Sequence, residues 1–361
     1  MNLTYQEMLD TFNALKKTSV YLDNEWSRIE GFFKNKKRFI FTGCGSSYSL
    51  AKSMSAMTNM HTGLQTSAMA AGDILLHKER YAKSVDGAAV VCISRSGRTS
   101  ELIMALDAVK DSGCSFSTAS LVCADATPLG EKSDFTLSMP WAFDNSVCQT
   151  RSVTNFYFAA AYILARITGN QAVLEDLRLL LGGESAEFMK KAEILADELS
   201  GLPWTHAVVL ADAELEGLAE EGALAFKEIC QLMSNYYHLL DVRHGPMVLL
   251  GENTLVLAAL GPKSELEYRL IEDIKKKKSE VVVFHDTAAE SPEHSAGEDR
   301  LSSGRTSSVG EVRNLVYGHP LSHIALGIPF IILCQMIAYK KSLKTGADPD
   351  KPTGLEPWIA L

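Results

Sequence analysis

The run Ser94-Arg95-Ser96-Gly97-Arg98-Thr99-Ser100 follows the apolar stretch from Ala88 to Ile93 and leads into a helical pattern starting at Glu101. A hydroxyl-rich turn at a helix start gathers side-chain donors and free backbone N–H groups where the helix dipole favours negative charge, which is the equipment for holding a phosphate. A second such turn lies upstream, where Phe39-Ile40-Phe41-Thr42 runs into Gly43-Cys44-Gly45-Ser46-Ser47-Tyr48 and a helical stretch from Ser49 to Asn59. Either turn alone reads as an ordinary strand-to-helix junction with a serine N-cap. Together they bring hydroxyls at Ser47, Ser94, Ser96 and Thr99 to adjacent strand ends, with Arg95 and Arg98 able to add charge-assisted bonds.

A chemical half is spelled further along. Glu221-Gly222-Ala223-Leu224-Ala225-Phe226-Lys227-Glu228 is followed after a polar turn by Arg243-His244-Gly245-Pro246. Glu221 and Glu228 stand seven residues apart on a helix and so share a face. Alone, Glu228 reads as a surface carboxylate beside Lys227, and His244 as a loop histidine. As a pair they suit proton movement on a carbon next to a carbonyl: a carboxylate takes the proton, and an imidazole serves the neighbouring oxygens.

Rival readings of these residues fail on particular positions. The upstream glycine turn lacks the third glycine of a dinucleotide fingerprint, where Tyr48 stands, and no acidic residue ends the strand near Leu64 to Ala68. Neither turn ends in the Gly-Lys-Ser/Thr of a Walker loop. His319-Pro320-Leu321-Ser322-His323 lacks the glutamate of a zinc helix, and Ser94 and Ser96 are not in a nucleophile elbow. No metal site is expected.

The elements that must position these groups alternate. Strands are expected at 38–42, 64–68, 88–93, 117–123 and 135–139, with helices between them, which implies a parallel sheet covered on both faces. A helical stretch from Thr154 to Leu199, broken at Gly169-Asn170 and Gly182-Gly183, precedes a second round: strand at 207–211, helix from Leu215 to Ser234, strand at 254–259, helix from Glu265 to Lys278, strand at 280–285. The second round reads as a copy of the first, with Gly261-Pro262-Lys263-Ser264-Glu265 where the first has Ser94 to Arg98. The expected organisation is a helical lead-in at 1–34, a first domain at 35–168, a helical connector at 169–200, a second domain at 201–345 and a tail at 346–361. The polar segment from Thr287 to Gly310 reads as a long loop.

Composition narrows the class. The 361 residues suffice for two α/β domains, and a net charge of −9 argues against nucleic acid as a partner. Seven scattered cysteines, with no CxxC pair, suggest reduced thiols and a cytoplasmic protein. The first residues show no basic stretch followed by an apolar one, so neither a signal segment nor a membrane partner is expected; Ile324 to Ala338, with Pro329 and Gln335, reads as a buried helix.

Over nearly its whole length the chain resembles the sugar isomerase (SIS) domain family in a tandem, double-domain arrangement. Its pattern is similar to those of the isomerase half of glucosamine-6-phosphate synthase, the AgaS-type isomerases and deaminases, and the fructosamine-6-phosphate deglycases. The resemblance implies two flavodoxin-like three-layer domains and a phosphosugar site held by Cys44, Gly45, Ser46, Ser47, Ser94, Arg95, Ser96 and Thr99. It places the enolisation base on Glu228 and the ring-opening histidine on His244, sixteen residues on. It also implies a homodimer or higher homo-oligomer, often with the histidine crossing the interface, and no cofactor. The chain departs from the synthase in lacking the glutaminase domain, in carrying Ala225 one turn before the base, and in having no counterpart of the C-terminal lysine. Arg95 and Arg98 stand where the synthase usually has Gln and Glu, and Arg98 is expected to meet a second anionic group on the substrate. Isomerisation, deamination and deglycation all remain open, as does a non-catalytic sugar-phosphate sensor, which would not require Glu228 and His244.

Overall fold

A computed structural model describes residues 1–261, 264–287 and 310–356. The first half opens with α1 (Leu3–Leu9), α2 (Thr11–Asn24) and α3 (Trp26–Phe33), followed by β1 (Arg38–Gly43), α4 (Ser46–Thr62) and β2 (Gln65–Ala70). It continues through α5 (Ala71–Leu76), α6 (Lys78–Val85), β3 (Ala89–Ser94), α7 (Ser100–Lys110), β4 (Ser117–Val122), α8 (Pro128–Glu131) and β5 (Phe135–Ser138). Three helices follow, α9 (Arg151–Thr168), α10 (Gln171–Leu179) and α11 (Glu184–Ser200). The second half has β6 (His206–Ala211), α12 (Glu216–Ile229), β7 (Met233–His238), β8 (Thr254–Ala259), α13 (Glu265–Lys275), β9 (Glu280–His285), β10 (Val312–Val316) and α14 (His323–Thr345).

The two five-stranded sheets have the orders β2-β1-β3-β4-β5 and β7-β6-β8-β9-β10, with every pair parallel. Both are the flavodoxin order, so β1 corresponds to β6, β3 to β8, and α4 to α12. Parallel strands need helices on both faces, and the alternation of side chains shows which face goes where. Phe39, Phe41, Ala89, Val91 and Ile93 point into one large core together with Val209, Ala211, Leu255 and Leu257 of the second sheet. Their neighbours Ile40, Val90 and Cys92 pack outward beneath α5, α6 and α7. Val208, Leu210, Val256 and Ala258 pack outward beneath α13.

The shared core is filled by α4, α9, α12 and α14. α14 is buried over most of its length, as expected for the apolar segment, and Gln335 donates to the Thr150 carbonyl at 3.3 Å. Fully buried Phe156, Phe226 and Phe330 each contribute about 1.5–3 kcal/mol by leaving water. Glycine sets the approach of the helices: a Cβ on Gly217 of α12 would lie 2.2 Å from the Ser49 carbonyl oxygen of α4, and one on Gly327 of α14 would lie 2.6 Å from Leu218. The breaks expected in the helical stretch fall where α9 ends, at Gly169 in the left-handed region, and where α11 begins after Gly183.

Two local expectations are corrected. The helix read as far as Ser234 stops at Ile229, because Gln231 turns to a φ of 53° and Met233–His238 pairs with β6. β10 is a further strand that the pattern does not reveal. Both lie at sheet edges, where polar residues such as Asn235, His238, Arg313 and Asn314 dilute the apolar signal. Of the expected loop at 287–310, residues 288–309 lie outside the described residues, as does 357–361 of the tail.

Candidate functional site

β1 ends at Gly43 beneath the first turn of α4, so close that a Cβ there would stand 2.6 Å from the Ser47 Cβ. Gly45, at a φ of 53°, turns the chain, and Ser46 and Ser47 open the helix as buried hydroxyls. Cys44 is half-buried; burial, reinforced by Glu101, pushes its thiol up to about 11, so it stays protonated.

The neighbouring strand β3 runs parallel to β1, with Thr42 opposite Cys92, so its own turn stands beside the first. Gly97 takes a φ of 60°, and a Cβ on it would lie 2.5 Å from the Thr127 Cβ. The Ser94 hydroxyl lies 2.9 Å from that of Thr99 and accepts from the Gly97 N–H at 3.0 Å, while the Ser96 hydroxyl accepts from the Arg98 N–H at 3.2 Å. The turn is braced from behind, the Cys123 and Leu129 N–H groups donating to the Arg95 and Gly97 carbonyls. The structure thus gathers Cys44, Gly45, Ser46, Ser47, Ser94, Ser96 and Thr99 on two adjacent turns at the starts of α4 and α7.

The two arginines part company. Arg98 is exposed at the rim. Arg95 is buried; its guanidinium donates to the Ser146 carbonyl at 3.0 Å and lies over the Phe143 ring at 5.7 Å. It is also the cation that most favours the ionised form of Glu228, ahead of Lys227. Arg95 is thus a buried cation that faces the second half.

α12 delivers the carboxyl groups. Glu221 is buried, and the Ser46 hydroxyl across the seam between the halves favours its ionised form. Glu228, two turns on, is largely sheltered, and burial pushes its carboxyl up to about 7 despite Arg95 and Lys227. Among the described residues it forms no ion pair with Lys227. A carboxylate poised there changes protonation near neutral pH, which suits general base work.

His244 is placed differently. It follows β7 and the short 3-10 turn Asp241–Arg243, with Gly245 at a φ of 126° and Arg243 paired to Asp273 at 3.0 Å. Its imidazole is exposed and, among the described residues, makes no side-chain hydrogen bond or ion pair. Val248 and Leu249 beside it are 80% and 58% exposed, so its loop presents an apolar face. His323 stands between Asp212 at 3.5 Å and Glu214 at 3.4 Å; burial lowers its pKa, but the two carboxylates outweigh burial and raise it overall. Among the described residues no cluster of His, Cys, Asp or Glu could hold a metal ion.

The signals missed in the sequence are the Glu221–Ser46 contact, the burial of Arg95, and Glu267. In the second half, the turn from β8 to α13 carries a capping box in which Glu267 accepts from the Gly261 and Ser264 N–H groups at 3.1 and 2.6 Å. Ser264-x-x-Glu267 was the readable sign of it.

The chain has known relatives. The profile of the SIS domain family matches residues 32–166. The chain is 25% identical to the D-galactosamine-6-phosphate deaminase AgaS of Shewanella sp. (strain ANA-3) over 334 residues, covering 88% of this chain and 78% of that protein. It is 27% identical to a glutamine–fructose-6-phosphate aminotransferase of Photorhabdus laumondii over 76% of this chain and 44% of that protein; the chain spans about half the length of such aminotransferases. Among solved structures, a glucosamine-6-phosphate deaminase from Thermotoga maritima superposes with a TM-score of 0.78 at 24% identity over all of both chains. The tagatose-6-phosphate ketose/aldose isomerase of Escherichia coli gives 0.76 at 20% identity, over 99% and 97%. Residues 32–166 thus match the SIS domain, and over most of its length the chain is similar to phosphosugar isomerases and deaminases.

Proposed function

We propose that the chain is a phosphosugar isomerase or deaminase that works by proton transfer between C1 and C2 through an enediol or enamine. The observation that carries the reading is the placement of Glu228, sheltered and titrating near 7, with Arg95 of the phosphate-type turn as its main counter-charge. The substrate phosphate would be held by Ser47, Ser94, Ser96 and Thr99 and by N–H groups of the two helix starts. His244 would protonate the ring oxygen as the ring opens, and Glu228 would take the C2 proton and return it at C1. The scheme needs no metal or organic cofactor.

The exposure of His244 beside Val248 and Leu249 supports a homodimer in which this loop meets a second copy and its imidazole serves the partner's site. Arg98, exposed at the rim, suits a substrate with a second anionic group, such as the carboxylate of a fructosamine phosphate. Removing Arg98 should then lower selectivity for such an adduct over a plain sugar phosphate.

The test is exchange of the C2 proton in deuterated water over hexose, hexosamine and fructosamine phosphates. Exchange with one class, reduced about 10²–10⁴-fold in Glu228→Gln, is expected. Binding without exchange across the panel would instead make the chain a sugar-phosphate sensor, the reading that an unpartnered His244 would fit.

A further inference from the structure

α12 brings two carboxyl groups to the seam between the halves, and the scheme above uses one. Glu221 is 2% exposed. Glu220 and Glu228 are its charged neighbours on α12, Ser46 faces it from α4, and Cys334 faces it from α14. Among the described residues its Oε2 has no hydrogen-bond partner and no Lys, Arg or His pairs with it. Lys52, the nearby cation of α4, is engaged by Glu220 at 2.7 Å. An ionised carboxylate in such a place would be a buried charge without compensation. A carboxylic acid there carries its own donor, and the Ser46 oxygen can accept it. Burial, followed by repulsion from Glu228, holds the Glu221 carboxyl well above the usual carboxylate range, against the pull of the Ser46 hydroxyl.

We propose that Glu221 is a positioning residue, kept as the neutral acid, that ties Ser46 of the first turn to Glu228 of the chemical half. This rests on reading Glu228 as the base. Ser46 opens α4, so fixing its side chain fixes the turn that would hold phosphate. Glu228 is then the one member of the pair that ionises near neutral pH; a charged Glu221 would keep it protonated to higher pH and idle as a base.

The test uses the full chain and two substitutions. Glu221→Leu removes the bond to Ser46 and should raise KM for the best-exchanging phosphosugar by about tenfold, with a smaller fall in kcat. Glu221→Gln, neutral and of the same shape, should recover most of that loss and leave the acid limb of the pH–rate profile where the wild type has it. Failure of Gln to recover, or an acid limb displaced downward by about one pH unit, would mean that Glu221 acts as an anion and would overturn the proposal. A second readout needs no substrate. The infrared difference between wild type and Glu221→Gln at pH 7 should contain the C=O stretch of a protonated carboxyl, and carboxylate bands in its place would overturn the proposal as well. A protonated band in a chain that exchanges no phosphosugar proton would upset the reading of Glu228 and leave the state of Glu221 established.

Discussion

The turn after β3 and the turn after β8 hold the same place in two copies of one strand order, and they satisfy their backbone in opposite ways. After β3, the N–H groups of Gly97 and Arg98 are met by the hydroxyls of Ser94 and Ser96, neutral partners that an incoming phosphate can join or replace. After β8, the N–H groups of Gly261 and Ser264 are met by the Glu267 carboxylate, so a negative group already stands at the helix start. A helix N-terminus is a good anion site in either case. Whether the chain supplies the anion itself or leaves hydroxyls in its place decides which half suits a ligand.

The sharpest way to break this contrast is to add one methyl group to each turn. Gly97→Ala forces a left-handed residue against Thr127 and should weaken phosphosugar binding about 10–100-fold by calorimetry. Gly261→Ala, whose Cβ would meet His323 at 2.6 Å, should cost about 1–2 kcal/mol of stability and leave the affinity in place. Equal losses of binding would end the division between the turns.

Next in size is the stability carried by Glu228. Its carboxyl is raised from 4.5 to about 7, so the native state holds the proton that the unfolded chain releases, and stability falls as pH rises from about 4.5 to 7. The loss is on the order of 3 kcal/mol above pH 7. Glu228→Gln should therefore melt higher than wild type at pH 8 and alike at pH 4, while losing activity. A lower melting point at pH 8 would contradict the burial argument.

Arg95 gives a smaller and directional effect. The rate should rise with pH through about 7 as Glu228 ionises, and Arg95→Gln, by removing the main counter-charge, should move that acid limb upward. An unmoved limb with weaker phosphate binding would return Arg95 to the anion turn. Smallest is Glu267→Gln, which exchanges two charge-assisted bonds for neutral ones and should lower stability by about 1 kcal/mol with activity within about twofold, by thermal melts and exchange rates.

Much of this was legible because buried parallel strands must be apolar on both faces, so Ala88 to Ile93 and Thr254 to Ala259 announce themselves without alternation. The glycines of the first two turns were legible because few residue types fit the positive φ of Gly45 and Gly97, and the hydroxyls because they recur at two strand-to-helix junctions. The edge strands β7 and β10 were not, since one open side tolerates Asn, His and Arg. Nor was the direction of Arg95, which depends on where residues 143–146 pass, far off in the chain. Glu221 and Glu228 were readable as one helix face, but only packing of α12 on α4 shows that the first meets Ser46.

That packing has a wider meaning. α4 and α12 are the same helix of the repeated unit, and each lies against the other, so the chain is built like two subunits meeting face to face on their own linker. In a pair of identical chains every substitution at such a contact is made twice, and both sides must tolerate it. Here Gly217 meets Ser49 once. Each half is released from matching the other, and a trait lost on one side is not lost on both.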